Sequence, residues 1–246
     1  MPRTPQKPRT PQKPPESSAT EVVAGETVDR DEFLDLLKAS ISQATTARVS
    51  LETSSAAGGL KGAGDIDFAT TPPSISLQLN VPQLGGDAEL RLVDGVAFVK
   101  LPQLGGKYVS FDLSDPANPL GSAFADQLDI ESQFDAFGDA IQEVTYVGTE
   151  DIDKEQLERY TLTVDGQAVA EQAGGAGLGA GADLLPDVIT YDIWFDAEGL
   201  FRQLTFDLDE QGVSSTITYS DWGKDVSITA PKPSEVTSLP RSPGAG

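Results

Sequence analysis

Three stretches of this chain place residue types at spacings that could do chemistry. Gly177-Leu178-Gly179-Ala180-Gly181-Ala182 fits the lax G-x-G-x-x-A pattern of a dinucleotide-binding turn, where backbone N–H groups approach a pyrophosphate. No strand pattern runs into it, and residues 168–182 are small and Gly-rich, so a weakly helical loop is the ordinary reading. Asp207-x-Asp209-x-Gln211-Gly212 opens like a calcium loop, but the twelfth position is Thr218 where a bidentate Glu is needed, and strand followed by turn explains it as well. Asp151 and Asp153 read as turn and cap residues. Carboxylate pairs for glycoside hydrolysis are available anywhere among 39 acidic side chains, and that abundance singles out none.

What is missing constrains more. With no Cys there is neither a disulfide framework nor a thiolate metal site, and with no His the Ser-His-Asp and Cys-His arrangements and imidazole ligation are absent. We therefore expect no enzyme, no cofactor and no metal. The net charge is −22. Residues 1–28 carry Arg3, Lys7, Arg9 and Lys13 against Glu16, Glu21 and Glu26, so the acidity belongs to the remainder. Such a surface resists aggregation and repels nucleic-acid phosphates, which excludes a nucleic-acid partner. No run approaches the ~18–20 apolar residues of a membrane span, and the start lacks the apolar stretch of an export signal.

Those few reactive groups would have to be carried by elements that the hydrophobic pattern locates. Residues 1–28 are low-complexity, TPQKPR at 4–9 being followed directly by TPQKPP at 10–15, and read as a disordered Pro-rich tether. As a coil it would reach about 30 Å. From Asp29, a candidate N-cap with Glu32 three residues on, Phe33, Leu36, Leu37, Ile41 and Ala44 form a helical stripe. Strands of period two follow around 49–53, 66–68, 75–81, 90–92, 96–98 and 109–113, and VPQLGG at 81–86 recurs as LPQLGG at 101–106 as a duplicated turn. Helical spacing returns with Phe134, Phe137, Ile141 and Val144, and strand with Tyr160, Leu162 and Val164. Residues 188–230 read as a four-strand meander, Ile189–Phe195, Leu200–Leu208, Val213–Tyr219 and finally Val226 with Ile228, with one continuous apolar face. The tail from Pro231 is not expected to fold, and we set the domain at 29–232 with a disordered tail at 233–246. The class is α+β: a large curved antiparallel sheet of about 11 strands with helices against one face.

YDIWFDAEGL (Tyr191–Leu200) followed by SDWGKDVSITAPKPSEV (Ser220–Val236) resembles the ending of the LppX/LprG (LprAFG) lipoproteins of actinobacterial envelopes, and LVDGVAFV (Leu92–Val99) resembles their middle hairpin. The resemblance spans about residues 30–236. It implies a LolA/LolB-like half-barrel wrapped around helices on its concave face, with a hydrophobic cavity for the acyl chains of a lipid or lipoglycan. It further implies a monomer at the outer face of the plasma membrane, acting as carrier or chaperone in lipid transport. Its partners would be the membrane surface and an envelope transporter. The lipobox Cys and signal of those lipoproteins are missing from this sequence.

Apolar residues placed to line such a cavity are Phe33, Leu37 and Ile41 of the first helix, Phe134, Phe137 and Ile141 of the second, and Leu77, Leu79, Leu92, Phe98, Phe111, Ile193, Phe195, Leu204 and Phe206 of the sheet. Ordinary core packing is the competing reading of each, because an unfilled cavity forfeits part of the ~1.5–3 kcal/mol that burying such a side chain contributes. A non-catalytic protein-interaction or sensor module of the envelope on the same scaffold is the alternative function, and a carboxylate-based hydrolase a third.

Overall fold

The computed structural model describes residues 23–56, 58–114, 137–174 and 185–237. The carboxylate of Asp29 starts α1 (Arg30–Gln43) by accepting the N–H groups of Asp31 at 2.9 Å and Glu32 at 3.2 Å. Two of the donors that a helix start leaves open are thereby satisfied, and Asp31 and Glu32 add negative charge at the positive end of the helix dipole. Phe33, Leu37 and Ser40 form its buried stripe.

Twelve strands then make one sheet. A first meander comprises β1 (Thr46–Ser54), β2 (Leu60–Asp67), β3 (Ser74–Val81), β4 (Gly86–Val93), β5 (Val96–Lys100) and β6 (Tyr108–Asp112). A second comprises β7 (Ile141–Ile152), β8 (Glu155–Asp165), β9 (Val188–Phe195), β10 (Phe201–Leu208) and β11 (Val213–Ser220), with α2 (Gly166–Gly174) between β8 and β9. The order is β12-β6-β5-β4-β3-β2-β1-β11-β10-β9-β8-β7. The meanders therefore meet at one seam, β1 against β11, where Val49 faces Tyr219. Only β12 (Val236–Thr237) runs parallel to its neighbour, β6. The α+β class and the large open antiparallel sheet are as the sequence implied.

Turn chemistry matches the duplicated motif. Pro82–Leu84 and Pro102–Leu104 are both 3-10 turns that end on a left-handed glycine, Gly85 at φ 87° and Gly105 at φ 65°. Asp209–Gln211 ends in the same way on Gly212 at φ 61°, so the calcium-like segment is a turn between β10 and β11. Asp153 and Lys154, both at positive φ, form the tight β7–β8 hairpin turn.

Four expectations need correction. Ile141 and Val144 are not helical: helix occupies 137–140 and β7 begins at Ile141. A register shift between Ile141 and Glu143 inserts an extra residue, so positions three apart both face inward, Ile141 opposite Val164 and Val144 opposite Leu162. That bulge imitates helical spacing. Val226 and Ile228 lie in an irregular segment outside the strands, and the closing strand is Val236–Thr237. Residues beyond Pro231 do fold, Pro231 being buried and Pro233–Glu235 forming a 3-10 turn. Residues 23–28 are not free tether either: Gly25 and Val28 donate to the carbonyls of Tyr146 and Val144, and Thr27 bridges Thr145 on the outer side of β7. Residues 25–28 thus occupy the β7 edge at Val144–Tyr146, and β12 occupies the β6 edge at Tyr108–Val109, which blunts edge-to-edge pairing at those positions.

Candidate functional site

The face of the sheet that receives α1 is called inner below. Residues paired across an antiparallel ladder share a face. The register accordingly threads Ala88, Leu79, Gly62, Leu51, Ile217, Leu204, Ile193, Tyr160 and Tyr146 into one inner row from β4 to β7. A neighbouring row runs Val109, Val99, Leu90, Leu77, Gly64, Val49 and Tyr219. This face is almost wholly apolar.

Its two parts are covered differently. Under α1, Phe33 packs edge-on against Phe195 at 6.1 Å between ring centroids and tilted on Tyr160 at 5.6 Å; Phe195 touches Phe201 at 5.8 Å, and Phe201 touches Tyr219 at 4.9 Å. Phe33, Phe195 and Ile193 are 0–1% exposed, so this is a closed core. A second closed cluster joins Leu92, Ala97 and Leu113, with Ile75 and Phe111 against it. Between and beyond these clusters Leu51, Leu60, Leu77, Leu79, Leu90, Val99, Leu204, Phe206 and Ile217 are only half-buried. Gly62 and Gly64 put no side chain on this face, and Leu79 and Leu77 lean over them, since a Cβ on Gly62 would meet the Leu79 Cδ2 and one on Gly64 would lie 2.8 Å from the Leu77 Cδ2.

The sequence-derived candidates therefore sort by place. Phe33, Leu37, Ile141, Ile193 and Phe195 belong to the first core, with Phe137 half-buried and its ring 5.9 Å from that of Tyr191. Leu92 and Phe111 belong to the second cluster. Leu77, Leu79, Leu204 and Phe206 lie on the half-buried inner face, and Ile41 is half-buried on α1. Phe98 is on the opposite, outer face, paired with Arg91 and Ser110. Phe134 and the Gly177–Ala182 motif lie outside the described residues.

Sequence reasoning missed the tyrosines. Tyr219 is half-buried, its ring against Phe201 and Trp222, and burial pushes its phenol above the ordinary value. Tyr191, its phenol also raised by burial, is half-buried between Phe137 and Phe206. The signal was available as the Tyr191 and Tyr219 positions of the alternating runs, but tyrosine in a strand is also an ordinary packing residue.

The outer face is ionic. Arg159 forks onto Asp192 at 2.8 and 3.1 Å and reaches Glu150 at 2.8 Å, Thr161 donates to Asp192, and the Trp194 indole donates to Glu150 at 3.2 Å. Hydrogen bonds from Arg159 and Trp194 hold Glu150 below the usual carboxylate range. Burial works to raise Glu89, but hydrogen bonds from Tyr108 and Arg91 outweigh it and hold that carboxyl low; Tyr108, mainly through burial, is pushed up to about 12. Among the described residues Glu89, Asp112, Glu150 and Asp221 are all displaced downward, the behaviour of ionised carboxylates held by hydrogen-bond donors. An open cleft of about 780 Å³ over β1–β5 is lined on this face by Arg48, Lys61, Asp65, Gln78, Asn80 and Glu89, a lining that hydrocarbon would desolvate at a loss.

The motif residues that carry the family resemblance turn out to hold the scaffold. Phe201 pairs with Phe195 just before a register shift to Gln203, and it precedes the first β10–β11 pair, Gln203 with Thr218; its N–H donates to the buried Ser40 Oγ at 2.6 Å and its carbonyl accepts the Trp222 indole N–H at 2.9 Å. Asp196 accepts the N–H groups of Glu198 and Leu200, and Gly199 at φ 78° completes that turn.

No protein-family model matches the chain, and no curated relative does. Among solved structures, the Mycobacterium tuberculosis lipoprotein LppX superposes with a TM-score of 0.54 at 15% identity, over 82% of this chain and 100% of that one. LprF from Mycobacterium bovis superposes with a TM-score of 0.53 at 16% identity, over 85% of this chain and 99% of that one. The fold is thus the one that the LppX/LprG resemblance implied.

Proposed function

We propose that this protein is a non-enzymatic lipid-binding protein of the cell envelope that holds acyl chains against the inner face of its sheet, as a carrier or chaperone. The observation carrying the reading is the half-buried apolar rows between two closed cores. A monomeric soluble domain that left such a face unoccupied would forgo burial that its neighbouring cores achieve. Leu77, Leu79, Leu204 and Phe206 are the contacts we assign; Phe33, Leu37, Ile193 and Phe195 form the wall behind them.

Magnitudes favour a ligand with more than one chain. At ~0.8 kcal/mol per buried CH₂, ten methylenes contribute about 8 kcal/mol, which is comparable with the ~4–15 kcal/mol cost of association. A second chain on the same headgroup adds its methylenes without a second association cost. The acidic exterior keeps an anionic headgroup outside while the tails enter. At the outer face of the plasma membrane, the Pro-rich segment before residue 23 would serve as a spacer between the domain and its attachment.

Native mass spectrometry of the protein purified from a lipid-producing host tests the reading. Bound lipid of discrete mass, released on denaturation, is expected; a bare protein mass from that host, and no uptake of diacyl or triacyl lipid added afterwards, would end it.

A further inference from the structure

The lipid-binding reading makes no use of the cleft on the outer face. Ala63, in the middle of β2, stands between Ser50 of β1 and Gln78 of β3, with Lys61 and Asp65 two residues to either side on its own strand. Its short side chain among longer ones opens the floor of the cleft, whose volume of about 780 Å³ is in the ordinary range of ligand sites. One row of the lining runs across the strands from Ala63 through Gln78 and Glu89 to Lys100. A parallel row runs from Lys61 through Asn80 to Asp87. Side chains recur about 7 Å apart along a strand and about 5 Å apart across strands, so the cleft presents a polar grid on a rigid sheet.

Charge narrows the occupant. Arg48, Lys61 and Lys100 in the lining balance Asp65, Asp87 and Glu89, so this patch is neutral on a chain of net charge −22. The ions are held by one another and by neighbours: Arg48 meets Asp65 at 3.3 Å, Arg91 donates to Glu89 at 2.8 Å, and the Asn80 amide donates to Asp87 at 2.7 Å. Gln78, in their midst, has no side-chain hydrogen bond among the described residues, which leaves an amide able to donate and accept side by side. A polyanion would be repelled by the three carboxylates and by the chain as a whole, and hydrocarbon would strip water from every group. A run of uncharged hydroxyls fits better, since each can donate to a carboxylate or amide oxygen and accept from an ammonium, guanidinium or amide N–H.

We propose that this cleft is a second binding site, for a segment of neutral oligosaccharide, with the Gln78 and Asn80 amides as the groups that meet adjacent hydroxyls. The acyl chains of the reading above lie on the other side of the sheet. Strands β6 and β11 continue the sheet on either side of the cleft, so the headgroup of a lipid on the inner face would have to turn round the strand ends to reach it. The ligand is accordingly a separate glycan, and the site holds the domain to surrounding polysaccharide by contacts independent of its cargo.

Two-dimensional proton–nitrogen NMR of the full chain, titrated to about 10 mM with maltohexaose, cellohexaose, mannohexaose and arabinohexaose, tests it. At least one of these sugars should shift the Gln78 and Asn80 side-chain amide signals saturably, and equally in lipid-free and lipid-loaded protein. Gln78→Leu, read at Asn80, should weaken that binding about tenfold while lipid uptake stays within about twofold. A dextran sulfate oligomer should leave the signals in place. If none of the sugars moves them, or if dextran sulfate moves them as strongly, the proposal falls and the lipid-binding reading is untouched. Shifts produced only by a glycolipid loaded on the inner face, and by no free sugar, likewise overturn it and assign the cleft to a headgroup.

Discussion

Ser40→Ala removes one oxygen atom from the centre of the molecule and should cost far more than its size. Ser40 is 0% exposed, and its Oγ accepts the Phe201 N–H at 2.6 Å from across 161 residues of sequence. Phe201 precedes the β10–β11 ladder, whose first pair is Gln203 with Thr218, so β11 offers its N–H no ladder acceptor, and the site is closed to solvent by Phe33, Phe195 and Phe201. Leaving a buried donor unpaired costs about 1–3 kcal/mol, whereas the lost volume is too small to matter. Taking about 2 kcal/mol, and roughly 2–4 °C per kcal/mol for a domain of this size, the melting temperature should fall by about 4–8 °C. Urea unfolding followed by tryptophan fluorescence should show the midpoint shift with an unchanged slope. Trp222→Phe, which removes the donor to the Phe201 carbonyl, should couple to it, the double variant losing less than the separate losses combined because both serve one residue. A Ser40→Ala melting temperature within about a degree of the parent would refute the argument that this hydroxyl pins the bulge.

Other perturbations separate scaffold from site. Gly64→Ala would drive a Cβ into the Ser76 carbonyl oxygen and to 2.8 Å from the Leu77 Cα, so a loss of about 3 kcal/mol is expected in urea unfolding. Gly85→Ala, with φ 87° but open space around it, should lose only about 1–2 kcal/mol. Ile217→Trp should fill the half-buried face, raising ligand-free stability by about 1 kcal/mol for ~40 Å² of added burial while lowering co-purified lipid; lower stability with lipid retained would contradict an unfilled face. Glu89 has a depressed folded value, so its contribution is full above its unfolded value and is lost as pH falls through the folded one. Unfolding midpoints from pH 6 down to pH 2.5 should therefore decline less steeply for Glu89→Gln than for the parent; identical slopes would mean that the Tyr108 and Arg91 contacts are not formed in solution.

Much of the sheet was legible because its strands keep a period of two with one apolar face: Ile75 to Val81 and Val213 to Tyr219 could be read directly. What defeated the reading was irregular pairing. The bulge at Ile141–Glu143 gave strand residues a helical spacing, and the two-residue β12 is too short to show any period, being held by Tyr108 and Val109 of β6. The site was half legible for a different reason. Apolar type identifies residues that leave water but not what they meet afterwards, so Phe195 in a closed core and Phe206 on a half-covered face look alike in sequence. Phe98 fell on the wrong side because Val96 and Val99 flank it, leaving β5 apolar on both faces and its parity ambiguous.

The β1–β11 seam has a consequence for the integrity of the molecule. Each meander borrows a piece of the other's sequence: α1, from ahead of β1, is packed on β8 and β9 through Phe33, while β12, from behind β11, is stitched to β6. The two halves are cross-laced like interlocked hands. A chain cut once between β6 and β7 should leave two fragments that stay together under native conditions and separate only when denatured, so a single nick would mark the protein without dismantling it.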